Sequence, residues 1–572
     1  MVNKSTSKNR KPITKLSSFV SLGIFLVIII LANLAGQVFF KRFDLTTDHR
    51  YSLNDFSKNQ LENLDDIVFL RVYLDGDLPA SFKQLQNSTK EILDEMRVYA
   101  GDNLQYEFID PSENPDEKIR QNIYRELSEK GLKYTNLTSR EGDKMSEQIV
   151  FPGAIMVYRE KEYPIQLLKN TMGTNPEVML NNSIQQLEYE ISSAIKKASQ
   201  HNPKRIAFIQ GHGEASKMQV QSIARSLGEF YRYQHVKIEG QIQALRGFSA
   251  AIVVGPDSAF SEKDKYVLDQ FVMNGGKMMW FIENAQVNSD SLRKNGISLG
   301  LAVENNLSDQ LFKYGARVNS DFVMDMQSLP IPVVTGMVGD QPKQELFPWY
   351  YFPLVFSTVK HPITNNLDAI ATEYVGSIDT VGGKNIKKTP LLYSSKYSKV
   401  TNAPTRVALN ILRDAPDERR FNKGPQMVAV LLEGKFESIF KNRISEKISE
   451  NPEFKFKSES EENKMIVVSD ADIIKNDVSP DGKQFYDLGY YKYTNRVYGN
   501  KDFILNSMSY LLEDDGLIFS RVKEFKLRLL NRQKVAKEKR QWQIFNTALP
   551  IIFIVIIGSV ISFLRKRRYS RF

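Results

Sequence analysis

The sequence predicts an α/β fold held at a membrane by both ends. Three observations predict it. Two charge-free apolar runs lie near the termini, a strand–helix–strand–helix–strand–strand–helix order runs between residues 66 and 195, and strands alternate with helices from residue 205 onward. At 572 residues the chain is too long for one core, so at least two domains are expected.

The first apolar run, Leu16 to Phe40, and the second, Ile544 to Leu564, each reach the roughly 20 residues that cross a bilayer as a helix. The first outruns a signal-peptide core and lacks a small-x-small cleavage site, so it reads as an uncleaved anchor. Pro550 and Gly558 in the second are tolerated in membrane helices. Lys4, Lys8, Arg10, Lys11 and Lys15 precede the first run; Arg565, Lys566, Arg567, Arg568 and Arg571 follow the second. Basic flanks favour the cytoplasm, which makes 1–15 and 565–572 cytoplasmic tails around one external body. Val522, Phe525 and Leu529 predict a basic amphipathic helix over 521–543, leading into the second span.

Hydrophobic residues at 42% and charged residues at 25% exclude wholesale disorder. The net charge of +10 gathers beside the apolar runs, which favours a membrane surface over nucleic acid. The absence of cysteine excludes disulfides, thiol nucleophiles and thiolate metal sites.

Within 41–200, Ser52 followed by Asp55 reads as a capping box opening a short helix. "DIVFLRVYL" is a strand, and Phe82, Leu85, Ile92, Met96 and Tyr99 follow at helical spacing. "LQYEFIDP" alternates as a strand, and Ile119, Ile123 and Leu127 mark a helix. "QIVFPGAIMVY" and "EYPIQLL" form a hairpin across Arg159 to Glu162, and Ile184, Leu187, Ile191 and Ile195 close the unit with a helix. That order is thioredoxin-like, and without cysteine the fold serves as a scaffold. Over 201–520, "RIAFIQ", "AAIVVGPD" and "KMMWFIE" are buried strands, with helices from near Ser216 and from Ser261 to Gly275–Gly276. This predicts a Rossmann-like parallel sheet. "MVAVLLEGKF" and "KMIVVSDADII" add strands, and "FKFKSESEEN" (454–463) reads as a solvated excursion.

Chemistry is sought first at "GHGE", where the first sheet strand should end. Gly211 and Gly213 free backbone amides to face a ligand, with His212 and Glu214 as polar contacts, and Asp257 at the end of the second strand is a further candidate ligand-binding residue. The competing reading is a tight turn before a helix, with Glu214 near its amino end. No H-E-x-x-H partner set supports a metal there, and none is expected. No G-x-x-x-x-G-K-[ST] loop occurs, so the chain is not expected to be an ATPase. The acids of "SDAD" (469–472) are read as turn caps rather than a cation site. Tyr490, Tyr491, Tyr493 and Tyr498 are read as packing rather than a glycan platform.

"RFDLTTDHRYSLN", "FIQGHGE", "FSEKDKYVLDQFVMNGGKMMWFIE", "VAVLLEGKFESIFKNR", "MIVVSDADIIKND" and "YGNKDFILNSMSYLLEDDGLI" occur in this order from anchor to anchor. Together they resemble the GldG family, gliding-motility-associated auxiliary, substrate-binding components of ABC transporters in Bacteroidota. The resemblance implies an inner-membrane protein with a periplasmic body, working with a separate GldA-like ATPase and a GldF-like permease in gliding and linked secretion. It also implies kinship of the second domain with an intraflagellar-transport subunit and, distantly, with glutamine amidotransferases. Those enzymes need a cysteine nucleophile, so the domain is expected to be amidotransferase-like but non-catalytic, without a cofactor. A glycan-binding or structural envelope module is the alternative. A hydrolase using His212 is the weakest reading.

Overall fold

The computed structural model describes residues 23–29, 52–141, 144–169, 176–200, 202–357, 359–365, 367–383, 385–413, 416–444, 456–512, 516 and 532–569. The chain divides into two units, Met1–Lys523 and Glu524–Phe572.

The first unit begins with helix α1 (Asp55–Glu62), and its cap is Asn54 rather than Ser52. The Asn54 side chain accepts from the Phe56 amide at 2.9 Å, the donor that an N-cap must satisfy. Strand β1 (Val68–Val72) then alternates buried and half-buried residues, so one face packs fully inward. It is followed by α2 (Ala80–Ala100), β2 (Leu104–Phe108) and α3 (Glu117–Glu129), then by hairpin β3 (Thr135–Glu141) and β4 (Lys144–Val150). Strands β5 (Gly153–Tyr158) and β6 (Lys161–Gln166) and helix α4 (Pro176–Ser199) complete the layer.

The sheet order is β2-β1-β5-β6, with β1 parallel to β2 and antiparallel to β5. Arg159 and Glu160 turn β5 into β6 with φ of 49° and 63°, the left-handed pair that a two-residue hairpin loop requires. Val68, Leu70 and Val72 meet Leu85, Leu93 and Met96 of α2 and Leu187, Ile191 and Ile195 of α4 in one core. The β3–β4 hairpin is additional to the expected order. Its polar sequences, TNLTSRE and KMSEQIV, carry little apolar alternation to announce it.

From residue 205 a second sheet builds on β7 (Arg205–Gln210), β8 (Arg232–Lys237), β9 (Ala250–Val254) and β10 (Lys277–Phe281). Helix α5 (Gln221–Leu227) starts five residues later than Ser216, and α6 (Glu262–Met273) is capped by Ser261 as expected. A long ribbon follows, β11 (Ser328–Val338) and β12 (Gln341–Val355), and then β13 (Ile386–Tyr393), β14 (Met427–Glu437), β15 (Glu459–Val468) and helix α7 (Asn500–Leu512). The sheet order is β13-β14-β15-β10-β9-β7-β8, parallel from β15 to β8 and antiparallel beyond. Both faces are covered: Ile252 and Val254 of β9 join the core with Ile223 of α5 and Phe503 of α7, and Ala251 and Val253 join that with Leu268 of α6. Continuous apolar strands are what such two-sided burial demands.

Of the excursion expected over 454–463, residues 454–455 lie outside the described residues, and 459–463 belong to a strand instead. They form the start of β15 and pair with β14, and the alternation of charge with Ser460 and Asn463 turns only those two inward.

In the second unit, helix α8 (Arg532–Tyr569) holds a stretch, Glu538–Arg567, long and apolar enough to cross a membrane. Pro550 sits inside it without ending it. Val522, Phe525 and Leu529 lie outside the described residues, as does most of the first apolar run, of which 23–29 are helical.

Candidate functional site

Strand β7 has β8 on one side and β9 on the other, while the chain visits them in the order β7, β8, β9. The direction of winding therefore reverses between β7 and β9, and the carboxyl ends of these strands are where such sheets offer a crevice. The GHGE turn leaves β7 at this point. Gly211 (φ 121°) and Gly213 (φ 74°) carry backbone that side chains rarely adopt, and a Cβ on Gly213 would collide with the Asp257 carboxylate.

His212 points inward and is 8% exposed. Its Nδ1 lies 3.2 Å from Glu214 Oε1 and its Nε2 3.2 Å from Asp264 Oδ2, and its ring stacks on Phe260 at 3.6 Å. The His212 amide donates to Glu214 Oε2 at 2.7 Å, and its carbonyl accepts from the Asp257 and Ser258 amides at 3.1 Å. Asp264 also accepts from Gly240 N and Ser261 Oγ. Burial opposes a charged ring, but the hydrogen bonds to Glu214 and Asp264 outweigh it and raise the His212 pKa. Burial likewise works against ionised Glu214 and Asp264, yet the same contacts and backbone donors pull both pKa values down. The result is a histidine ring held between two carboxylates, tying the β7 turn, the β9 loop and α6 together. Gly211, Gly213 and Asp257 remain exposed on the outer side of the turn.

A second group of charges lies beyond the ends of β9, β10 and β15. Carboxylate oxygens of Glu283, Asp470 and Asp472 fall within 4.8 Å of one another. Lys475 Nζ reaches Glu283 Oε1 at 2.9 Å and Asp472 Oδ1 at 3.3 Å, so an ammonium already supplies a cation to this set. Asp470 closes a turn by accepting from the Asp472 amide at 2.7 Å, the role expected for the SDAD acids, and from the Glu373 amide at 3.1 Å. Burial, reinforced by the neighbouring acids, pushes Asp470 well up, Asp472 to about 6 and Glu373 to about 8. Lys475 goes up as well: burial opposes its charge, but Asp472 and Glu283 overcome that. A divalent ion would find oxygen ligands here only by displacing Lys475.

Residues 203–507 match the model of a family described as an ABC-type uncharacterized transport system, its auxiliary component. The chain belongs to this family. The match spans β7 through most of α7, so the auxiliary domain contains both the clamped histidine and the acidic group. Residues 47–157 match a domain of unknown function. Among solved structures the chain is similar to the mmIFT52 N-terminal domain, at 13% identity and a TM-score of 0.32, over 55% of this chain and 99% of that one. No curated protein matches.

The structure brings Gly211, His212, Gly213, Glu214 and Asp257 together beyond the ends of β7 and β9. Glu214 and His212 face each other rather than outward. Asp264 was missed as the third member; its position as the third residue of a capped helix signalled only a first-turn acid. Glu283, Glu373 and Lys475 were missed too, since strands distant in sequence assemble them.

Proposed function

We propose that this chain is a membrane-anchored auxiliary, substrate-binding component of an ABC transporter associated with gliding motility and linked secretion, and is itself non-catalytic. The observation that carries the reading is the family match over 203–507, joined in one chain to a helix able to cross a membrane. In this reading a GldA-like ATPase and a GldF-like permease are the partners. Both apolar runs anchor the chain in the inner membrane, the tails are cytoplasmic, and the body is periplasmic, with 41–200 a thioredoxin-like scaffold and 201–520 a Rossmann-like binding module. The clamp around His212 favours binding over hydrolysis, because both ring nitrogens already have carboxylate partners and a general base needs one free. A ligand would meet the exposed side of the turn, at Gly211, Gly213 and Asp257, while His212 and Glu214 hold its shape.

The test is ATP handling. The purified chain should neither bind nor hydrolyse ATP, and adding it to a reconstituted ATPase–permease pair should change that pair's turnover. Stoichiometric ATP binding by the isolated chain would sink the reading. An envelope glycan-binding role is the second reading, favoured by one observation: Tyr486 and Tyr490 stack at 5.9 Å and 19°, with Tyr486 and Tyr493 exposed.

A further inference from the structure

A cleft of about 330 Å³ lies at the amino ends of β9 and β10, the opposite end of these strands from the His212 turn. One wall is the connection from β8 to β9, where the Ala244, Arg246 and Phe248 amides each donate to the carbonyl three residues back, at 3.0–3.2 Å. The other wall is the second half of α6, with Val267 and Phe271. Leu245 and Val267 belong to the buried core beneath, Phe248 and Phe271 are half-buried, and Ile242 is 41% exposed. A Cβ on Gly276 would lie 2.5 Å from the Phe271 ring, so only glycine leaves that ring its place. The lining is apolar and its charge has one sign. Arg246 lines the cleft, the Arg205 guanidinium lies 4.3 Å from the centre of the Phe248 ring, and no aspartate or glutamate lines it. Among the described residues neither arginine forms an ion pair. Their side-chain partners are neutral amides, Gln243 Oε1 at 3.4 Å for Arg246 and Gln234 Oε1 at 2.8 Å for Arg205.

We propose that this cleft binds a medium-chain anionic amphiphile, its chain between Phe248 and Phe271 and its carboxylate or phosphate on Arg246. Three observations select that ligand. β9 and β10 are inner strands, flanked by β7 and β15, so no strand edge is open to a peptide here. The site is concave, mainly apolar and small, the form taken by small-molecule sites, which start at about 300 Å³. At about 30 Å³ for each water-sized group it holds about eleven non-hydrogen atoms, a head group and one medium chain. The third is charge: a guanidinium without a carboxylate partner, beside walls that carry no acid, favours an anion, and its planar fork matches carboxylate or phosphate oxygens. That chemistry has two sources, a free amphiphile and a membrane phospholipid. The volume is too small for a two-chain lipid, which favours the free form. The cleft is separate from the turn at Gly211, Gly213 and Asp257, and the inference stands apart from the function proposed above.

The test labels the full chain, held in nanodiscs of zwitterionic phosphatidylcholine, with octanoate carrying a terminal diazirine, and maps the modified residues by mass spectrometry. Labels should fall within 242–248 and 267–276. Excess octanoate should remove them, and the same concentration of octyltrimethylammonium should not. Arg246→Glu should lower labelling roughly tenfold, the worth of a charge-assisted hydrogen bond. Because the Arg246 side chain is exposed, the unfolding midpoint of that variant should stay at the parent's value. Equal competition by the quaternary amine, undiminished labelling of Arg246→Glu, or labels confined to other segments would overturn the proposal. Discs containing phosphatidylglycerol separate the two sources: labelling retained there supports a free amphiphile, while labelling abolished there assigns the cleft to membrane lipid and overturns the proposal.

Discussion

His212 and Glu373 show the same physics with opposite outcomes. Each loses water, but His212 gains two carboxylate partners, whereas Glu373 faces Asp472 and Asp477 with only the lysines in opposition. A proton is therefore retained on Glu373 well above the usual carboxyl range, to about 8 from 4.5. Between those values the folded protein holds a proton that the unfolded chain has released, so stability falls as pH rises through that window. Glutamine is nearly isosteric with the protonated acid. Glu373→Gln should match the parent near pH 4 and exceed it at pH 9 by about 2 kcal/mol, a figure reduced for the water that still reaches this residue. Urea unfolding of the detergent-solubilised chain at the two pH values checks this. Equal stability at both would show that Glu373 ionises freely.

At the scale of elements, Asp269 joins α6 to the loop after β14. Its buried carboxylate accepts from Ser438 Oγ at 2.6 Å, Tyr314 Oη at 2.9 Å and the Ile439 amide at 3.1 Å. Asp269→Ala leaves those donors dry and unpaired, and should cost about 3 kcal/mol, read as a lower unfolding midpoint. A loss under about 0.5 kcal/mol would mean that water takes over the carboxylate's place. Elements of this kind were unevenly legible. RIAFIQ, AAIVV and KMMWF are continuous apolar runs, so the sheet's centre was plain. Strand β8, RYQHVK, was not foreseen, since an edge strand needs only one inward residue in two and here carries four polar ones. The Ser261 cap was legible because side chain and amide lie three residues apart; the Asn54 cap was obscured by a second plausible capper nearby. The clamped turn was readable as a place, from its glycines and strand end. Its closure by Asp264 depends on a helix 52 residues away, and no local pattern encodes that.

At the scale of the molecule, an auxiliary domain and a helix fit to cross a membrane reside in one chain whose family belongs to a transport system. Both faces of the sheet are covered, while Gly211, Gly213 and Asp257 beyond its strand ends are exposed. The most direct test solubilises native membranes gently, captures the chain through a small tag at residue 572, and quantifies the co-purifying subunits. An ABC ATPase and a membrane permease should appear in fixed proportion to the chain and be retained after a second sizing step. Recovery of the chain without either subunit, from membranes that contain both, would contradict the proposed function.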